Sequence, residues 1–214
     1  MNNIEQSLTR STDIHSFAKN YFGYLYELLK GIDTHKIDAF VKEMENAREN
    51  KNTIFFIGNG GSATTASHMA NDFGTDIHKR TSTDKPFRAM SLTDNCAIML
   101  AVANDTGFEN LFVNQLRIYY RPGDKLVAIS ASGNSPNVVA AAEWVKKQGG
   151  IVISLVGFDG GKLKDISDVV VQVKTYKGEY GPVEDVHLIL DHLVSYWLQH
   201  QIQKKVSNNE AIRK

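Results

Sequence analysis

Five short apolar runs punctuate the middle and end of this sequence: Thr53 to Ile57, Ala89 to Leu92, Lys125 to Ser130, Ile151 to Val156 and Val169 to Val173. Most are continuously apolar rather than alternating. That pattern belongs to strands covered on both faces, and such strands form parallel sheets. Segments with helical spacing fall between them, over Ser62 to Phe73, Asn95 to Ala103, Gly107 to Tyr120 and Asn137 to Lys147. Strand and helix in alternation predict an α/β fold with a five-stranded parallel sheet flanked by helices, Rossmann-like in architecture. A length of 214 residues suits one such domain with extra helices.

The extra helices come first. Asp13 is placed to cap a helix with Ile14, Phe17, Ala18, Tyr21, Leu25, Leu28 and Leu29 on its apolar side, ended by Gly31. Asp33 or Thr34 caps a second, with Ile37, Phe40, Val41, Met44 and Ala47 on one face. This N-terminal helical hairpin, residues 11–50, packs either on the chain's own sheet or in an oligomer; the aromatics beyond one stripe favour some oligomeric use. The α/β domain occupies 51–205 and closes with a helix from about Pro182 to Lys204, proline being suited to a first helical turn. Residues 1–10 and 206–214 are expected to be flexible.

Composition narrows the function classes. Lys plus Arg and Asp plus Glu balance at 24 each, so no general electrostatic footprint for nucleic acid or an anionic membrane exists. An anionic ligand must be held by local geometry. The single cysteine, Cys96, excludes an intramolecular disulfide and a thiolate zinc cage. Met1 to Arg10 is polar without an apolar core, so no signal peptide is expected, and no run approaches the roughly 20 apolar residues of a membrane span. The cytoplasm is the expected compartment.

Two loops carry the chemistry. Gly58-Asn59-Gly60-Gly61-Ser62 follows the first strand and opens a helix. Its glycines let backbone N–H groups approach a ligand, and the helix N-terminus adds partial positive charge, which together favour an anion such as phosphate. It matches neither a dinucleotide fingerprint nor a P-loop. A tight turn with Ser62 as cap is the plainer alternative. Ser130-Ala131-Ser132-Gly133-Asn134-Ser135 follows the third strand. Three hydroxyls on one parallel-sheet loop exceed what helix capping needs. Both loops leave the carboxyl ends of strands, where open α/β sheets bind ligands.

Histidines and carboxylates form a third feature. His68 and Asp72 share a helix face at i and i+4, and the last helix carries Glu184, Asp185, His187, Asp191 and His192. Single histidines are commonly surface or satisfied core residues. Charges near a helix start also serve as macrodipole partners. Yet that helix is otherwise rich in Val, Leu and Ile, and ionisable groups are rarely buried without pairing or a metal. Two histidines with two carboxylates suit Zn²⁺ or a similar divalent ion.

At GNGGS…ASHMAND, SASGNS and EDVH…DH the sequence resembles the sugar isomerase (SIS) domain family, and within it the phosphoheptose isomerases, from about Ile32 to His200. The resemblance implies a single SIS domain, a homotetramer with active sites at subunit interfaces, and conversion of sedoheptulose 7-phosphate to a heptose 7-phosphate for surface polysaccharide. Carried over by position, Ser130, Ser132 and Ser135 hold phosphate, with Ala131 where the family usually has Thr. Asn59, Gly60, Gly61 and Ser62 line the sugar site, and Asn104 and Asp105 bind sugar hydroxyls. His68, Asp72, Glu184 and His192 fall on metal-ligand and acid/base positions. The family has Glu at position 72, Gln at 184 and Arg at 76, where this chain has Asp76; Lys79, Arg80 or Arg88 are the candidate replacements for that arginine.

Ketose–aldose isomerisation moves a proton between adjacent carbons through an enediol and needs a base and a group that stabilises the oxyanion. Asp72 is the leading base and His192 its acid/base partner. A metal on His68, Asp72, Glu184 and His192 is the competing use of the same groups, and full coordination of Asp72 makes Glu184 the better base. A non-catalytic SIS-fold scaffold, a sugar-phosphate-sensing regulator and an isomerase for another sugar phosphate are the rival readings.

Overall fold

The computed structural model describes residues 1–212, and side chains for residues 1–206. Five parallel strands form one sheet in the order β2-β1-β3-β4-β5: β1 Thr53–Ile57, β2 Arg88–Ser91, β3 Lys125–Ser130, β4 Ile151–Gly157 and β5 Val169–Val173. All five predicted runs are strands, with the second shifted by one residue.

The sheet sorts its side chains by the two-residue strand period. Phe56, Val127, Ile129, Ile153 and Leu155 face one core, whose other wall is α3 (Thr34–Glu49), α4 (Gly61–Asn71) and α10 (Tyr180–Ile212). Phe55, Ile57, Leu126, Ala128, Val152 and Val156 face a second core, against α7 (Leu111–Tyr119), α8 (Pro136–Lys147) and α9 (Gly161–Ile166). This double covering is why the strands read as continuous apolar runs. Among the aromatics near α7, Phe112 and Tyr120 are core, whereas Phe108 and Tyr119 are exposed.

The N-terminal region departs from expectation. Within the stretch 1–10, read as flexible from the sequence, residues 3–10 form a helix, α1 (Asn3–Arg10), closed by a capping box between Asn2 and Glu5. The next two helices, α2 (Ile14–Lys30) and α3, start at the expected caps Asp13 and Asp33. Helix α10 continues through Ile212, so most of the stretch expected to be a flexible tail is helical; residues 213–214 lie outside the described residues. Like α1, helices α2 and α6 (Cys96–Thr106) hold no fully buried residue, although Leu25, Leu28 and Leu29 of α2 and Met99, Val102 and Ala103 of α6 pack half-buried on the two cores.

The helix expected over Ser62 to Phe73 runs on to Thr81 in three pieces. After α4 comes a π-helical turn, Asp72–Asp76, closed by a bond from Ile77 N–H to the Asp72 carbonyl, and then α5 (Ile77–Thr81). Phe73 anchors that turn. It is fully buried among Phe56, Phe87 and Phe40, with ring centroids 5.7, 5.9 and 6.3 Å away. The wider turn resets the helical phase where Asp72 leaves it, a device frequent at functional sites.

Candidate active site

The serine loop leaves β3 and ends at the start of α8. Ser130 Oγ lies 3.2 Å from Ser135 Oγ and 3.5 Å from Ser132 Oγ, so the three hydroxyls share one concavity. Ser135 stands at the N-cap of α8, yet its side chain makes no capping bond. The hydroxyl is therefore available to a ligand rather than used up by the helix. Gly133 holds φ +63°, and a Cβ there would strike the Gly160 carbonyl, so the tight return of this loop requires glycine. An adjoining cavity of about 240 Å³ brings Tyr176 and Lys177 beside Ser132 and Asn134.

The glycine loop lies on the neighbouring strand. Asn59 and Asn137 exchange two amide hydrogen bonds, both 2.8 Å, which pin this loop to the first turn of α8. The sequence reading missed Asn137. Its signal is a fully buried amide directly after Ser135-Pro136. Ser62 is buried in the first turn of α4. The start of α10 sits above both loops. A Cβ on Gly157 would meet both Val183 and the Ala131 carbonyl, and a Cβ on Gly61 would occupy the space of the Glu184 carboxylate. Glu184 therefore sits against the glycine loop, one residue from the side chain that abuts the serine loop. Burial, then the neighbouring Asp185 charge, push its carboxyl above the ordinary glutamate value. Helix α2 holds this turn down: Tyr21 donates to Asp185, and Tyr24 and the Asn3 N–H both donate to the buried Glu179.

Two turns further along the same helices, His68, Asp72, Asp191 and His192 offer ligand atoms that all lie within 4.8 Å of one another. His68 Nε2 is 3.2 Å from His192 Nε2, 3.6 Å from Asp72 Oδ2 and 4.0 Å from Asp191 Oδ2. Two zinc–nitrogen bonds of about 2.0–2.1 Å in tetrahedral array place their nitrogens about 3.3 Å apart, so the imidazole pair fits such an ion. Asp191 is fully buried and neither carboxylate oxygen has a hydrogen-bond partner. Burial, then Asp72, push its carboxyl up to about 8. A cation is the complement these donors lack. A cavity of about 200 Å³ opens on the group, lined also by Asp76, Arg80, Tyr196 and Gln199.

Three of the four expected ligands thus come together. The fourth does not: Glu184 stays at the glycine loop and Asp191 stands in the group instead. The physical reason is axial distance, since eight residues of helix separate Glu184 from His192 by about 12 Å. Asn104 and Asp105 are exposed near the end of α6 and hydrogen-bonded to each other, with no bond to either loop among the described residues. Of the replacements considered for the missing arginine, Arg80 lines the cavity at the group and pairs with Asp76 at 3.6 Å. His187 is core: its ring is buried against the Val156 carbonyl, and burial depresses it to about 4.

Comparison with known proteins follows this geometry. The SIS domain family model matches residues 20–157. The phosphoheptose isomerase of Rhodospirillum rubrum is 38% identical over 142 residues, covering 66% of this chain and 72% of that protein. That of Chlorobium phaeobacteroides is 34% identical over 175 residues, covering 81% and 76%. The structure of the Neisseria gonorrhoeae phosphoheptose isomerase superposes with a TM-score of 0.77 at 28% identity, covering 88% of this chain and all of that one. By sequence and by fold, this chain belongs to the phosphoheptose isomerase family of SIS-domain proteins.

Proposed function

We propose that the chain interconverts a seven-carbon ketose phosphate, sedoheptulose 7-phosphate, and the corresponding aldose phosphate. The observation that carries this reading is the position of Glu184. It is a half-buried carboxylate with a raised proton affinity, seated on the glycine loop beside the serine loop. Phosphate held by Ser130, Ser132 and Ser135 lays the carbon chain across Gly60 and Gly61 toward that carboxylate. Ala131 supplies only its backbone, so the anion rests on three hydroxyls and the start of α8.

Glu184 acts as the base that takes a proton from carbon 1 of the ketose and returns it to carbon 2 of the aldose. A base works best when its proton affinity approaches the operating pH, and partial burial moves Glu184 in that direction. Asp72 was the leading base on sequence grounds. It lies instead 3.6 Å from His68 inside the four-residue group, where a cation competes for its lone pairs. Two imidazoles and two carboxylates match the donor chemistry of Zn²⁺, which when bound supplies a Lewis acid for the sugar oxygens. In the competing use of the group, with no cation on it, His192 on its exposed side protonates and deprotonates the substrate oxygens.

The assembly belongs to the same proposal. Helices α2 and α6 hold no fully buried residue in one copy, and Ile14, Phe22, Tyr26 and Leu100 project from them into solvent. Leu193, Tyr196 and Trp197 of α10 line an apolar groove with Ile37 and Val41 of α3. Exposed apolar faces of this extent are covered by association, and a homotetramer is the assembly proposed.

The test is turnover of purified protein with sedoheptulose 7-phosphate, compared with six- and five-carbon ketose phosphates. The proposal expects aldose phosphate from the heptulose with the highest kcat/KM. A preference for a shorter sugar overturns the substrate assignment, and no turnover of any of them overturns the isomerase reading.

A further inference from the structure

The serine loop offers a phosphate hydroxyls and a helix start, but no full charge. Ser130, Ser132 and Ser135 are neutral, and Ala131 adds only backbone. A phosphate monoester carries about −1.5 to −2 charges at pH 7. The cavity of about 240 Å³ beside the loop holds the missing cation: Lys177 lines it together with Ser132 and Asn134. Among the described residues on that wall, Lys177 is the only cation and Asp159 the only carboxylate, and Asp159 Oδ1 accepts the Gly161 N–H at 3.1 Å. Thr175, on the same wall, has a hydroxyl without a hydrogen-bond partner.

The turn that carries Lys177 is anchored at both ends. Glu179 N–H donates to the Tyr176 carbonyl at 3.2 Å, and Tyr176 N–H donates back to the Glu179 carboxylate at 3.1 Å. Between them Gly178 holds φ +97°, open to glycine at no steric cost. Glu179 is buried and also accepts from the Asn3 N–H and the Tyr24 hydroxyl, so α1 and α2 fix the turn from behind. Phe158, another lining residue, is buried at φ +51°. Its carbonyl accepts the Gln172 amide at 2.8 Å, and its ring meets Tyr180 edge to face at 5.1 Å. A bulky residue persists in that conformation only where its surroundings over-determine it, and such positions recur at ligand clamps.

We propose that the turn Thr175-Tyr176-Lys177 is the second wall of the phosphate site, with the Lys177 ammonium as the counter-charge of the bound phosphate. The proposal rests on the phosphate reading of the serine loop, but it does not depend on which sugar is turned over. An ammonium bonded to a phosphate oxygen is a charge-assisted contact, stronger than the hydroxyl contacts around it. The Glu179 anchor holds the turn in place before the ligand arrives, so less ordering is lost on binding.

The experiment titrates inorganic phosphate, followed by ³¹P NMR, into the full wild-type chain, Lys177→Ala, Lys177→Arg and the double variant Ser132→Ala with Ser135→Ala, circular dichroism checking that each folds. Lys177→Ala is expected to bind phosphate about 10–100-fold more weakly, the scale of one charge-assisted hydrogen bond, and to lose kcat/KM for sedoheptulose 7-phosphate by a like factor. Lys177→Arg keeps the charge and recovers most of the affinity. Added NaCl weakens phosphate binding more steeply in wild type than in Lys177→Ala. Wild-type phosphate affinity in Lys177→Ala, with the serine variant weakened, overturns this proposal alone and leaves Lys177 a solvated charge on a surface turn. An arginine variant as weak as the alanine one overturns it too, because positive charge is then not what the site uses. Phosphate binding untouched by the serine substitutions takes phosphate away from the loop and overturns the reading on which the proposal rests.

Discussion

Glu184 concentrates the account at the level of single residues. Its carboxyl is held above the ordinary glutamate value by burial first and Asp185 second. The base must be ionised to act, so kcat/KM rises with pH through that elevated value. The acid limb of the pH profile is expected above the ordinary glutamate range, and a limb within it would contradict the role. Glu184→Gln removes the base without changing shape and should lower kcat by about 10²–10⁴-fold, the usual contribution of general base catalysis. Near-wild-type kcat in that variant would return the role to Asp72. The sequence made the residue types legible here, because His68, Asp72, Glu184 and His192 stand at helical spacings. It did not reveal which carboxylate sits with which histidine. That depends on the register of α10 against α4, set by packing of Val183, Val186 and Leu190 on a core made from distant strands. Asp191 was visible as a carboxylate after an apolar run, Leu188-Ile189-Leu190, and the fold brings it into the group with His68, Asp72 and His192.

Among the elements, strands were the most legible, because both faces of the sheet are covered and every strand is consequently apolar. Helix ends with side-chain caps, at Asp13 and Asp33, were equally readable. The π-turn at Asp72–Asp76 was not, since the sequence Asp-Phe-Gly-Thr-Asp continues a helical pattern and only the burial of Phe73 among three other rings forces the wider turn. Helix α10 yields its own prediction. His187 is buried and held neutral, with its proton affinity depressed from 6.5 to about 4. Between those values the unfolded chain binds a proton that the native state refuses, so stability falls as pH drops from about 6.5 to 4. In urea unfolding across that window, His187→Leu should lose less stability than wild type relative to its own value at pH 7.5. Parallel losses in the two proteins would show that His187 does not carry the acid sensitivity.

At the scale of the whole molecule, one copy presents unusually much unpaired apolar surface for its size. Phe22, Tyr26, Leu100, Tyr196 and Trp197 are each more than half exposed. Sedimentation equilibrium at micromolar concentration should return a mass of four chains, and a single-chain mass would remove the tetramer from the account. No helix among the described residues is long and apolar enough to cross a membrane. The family was legible from the two loops together with the helix segments around His68 and His192, whereas the pinning of the glycine loop to α8 by Asn59 and Asn137 required the folded arrangement. The central claim is that this arrangement moves a proton between adjacent carbons of a sugar phosphate. It is tested most directly by incubating the wild-type chain with sedoheptulose 7-phosphate in D₂O and following the sugar by NMR. The account predicts formation of the aldose 7-phosphate with solvent deuterium at carbon 2, delivered from the exchanged carboxyl of Glu184. A heptulose that stays unconverted and undeuterated would contradict it.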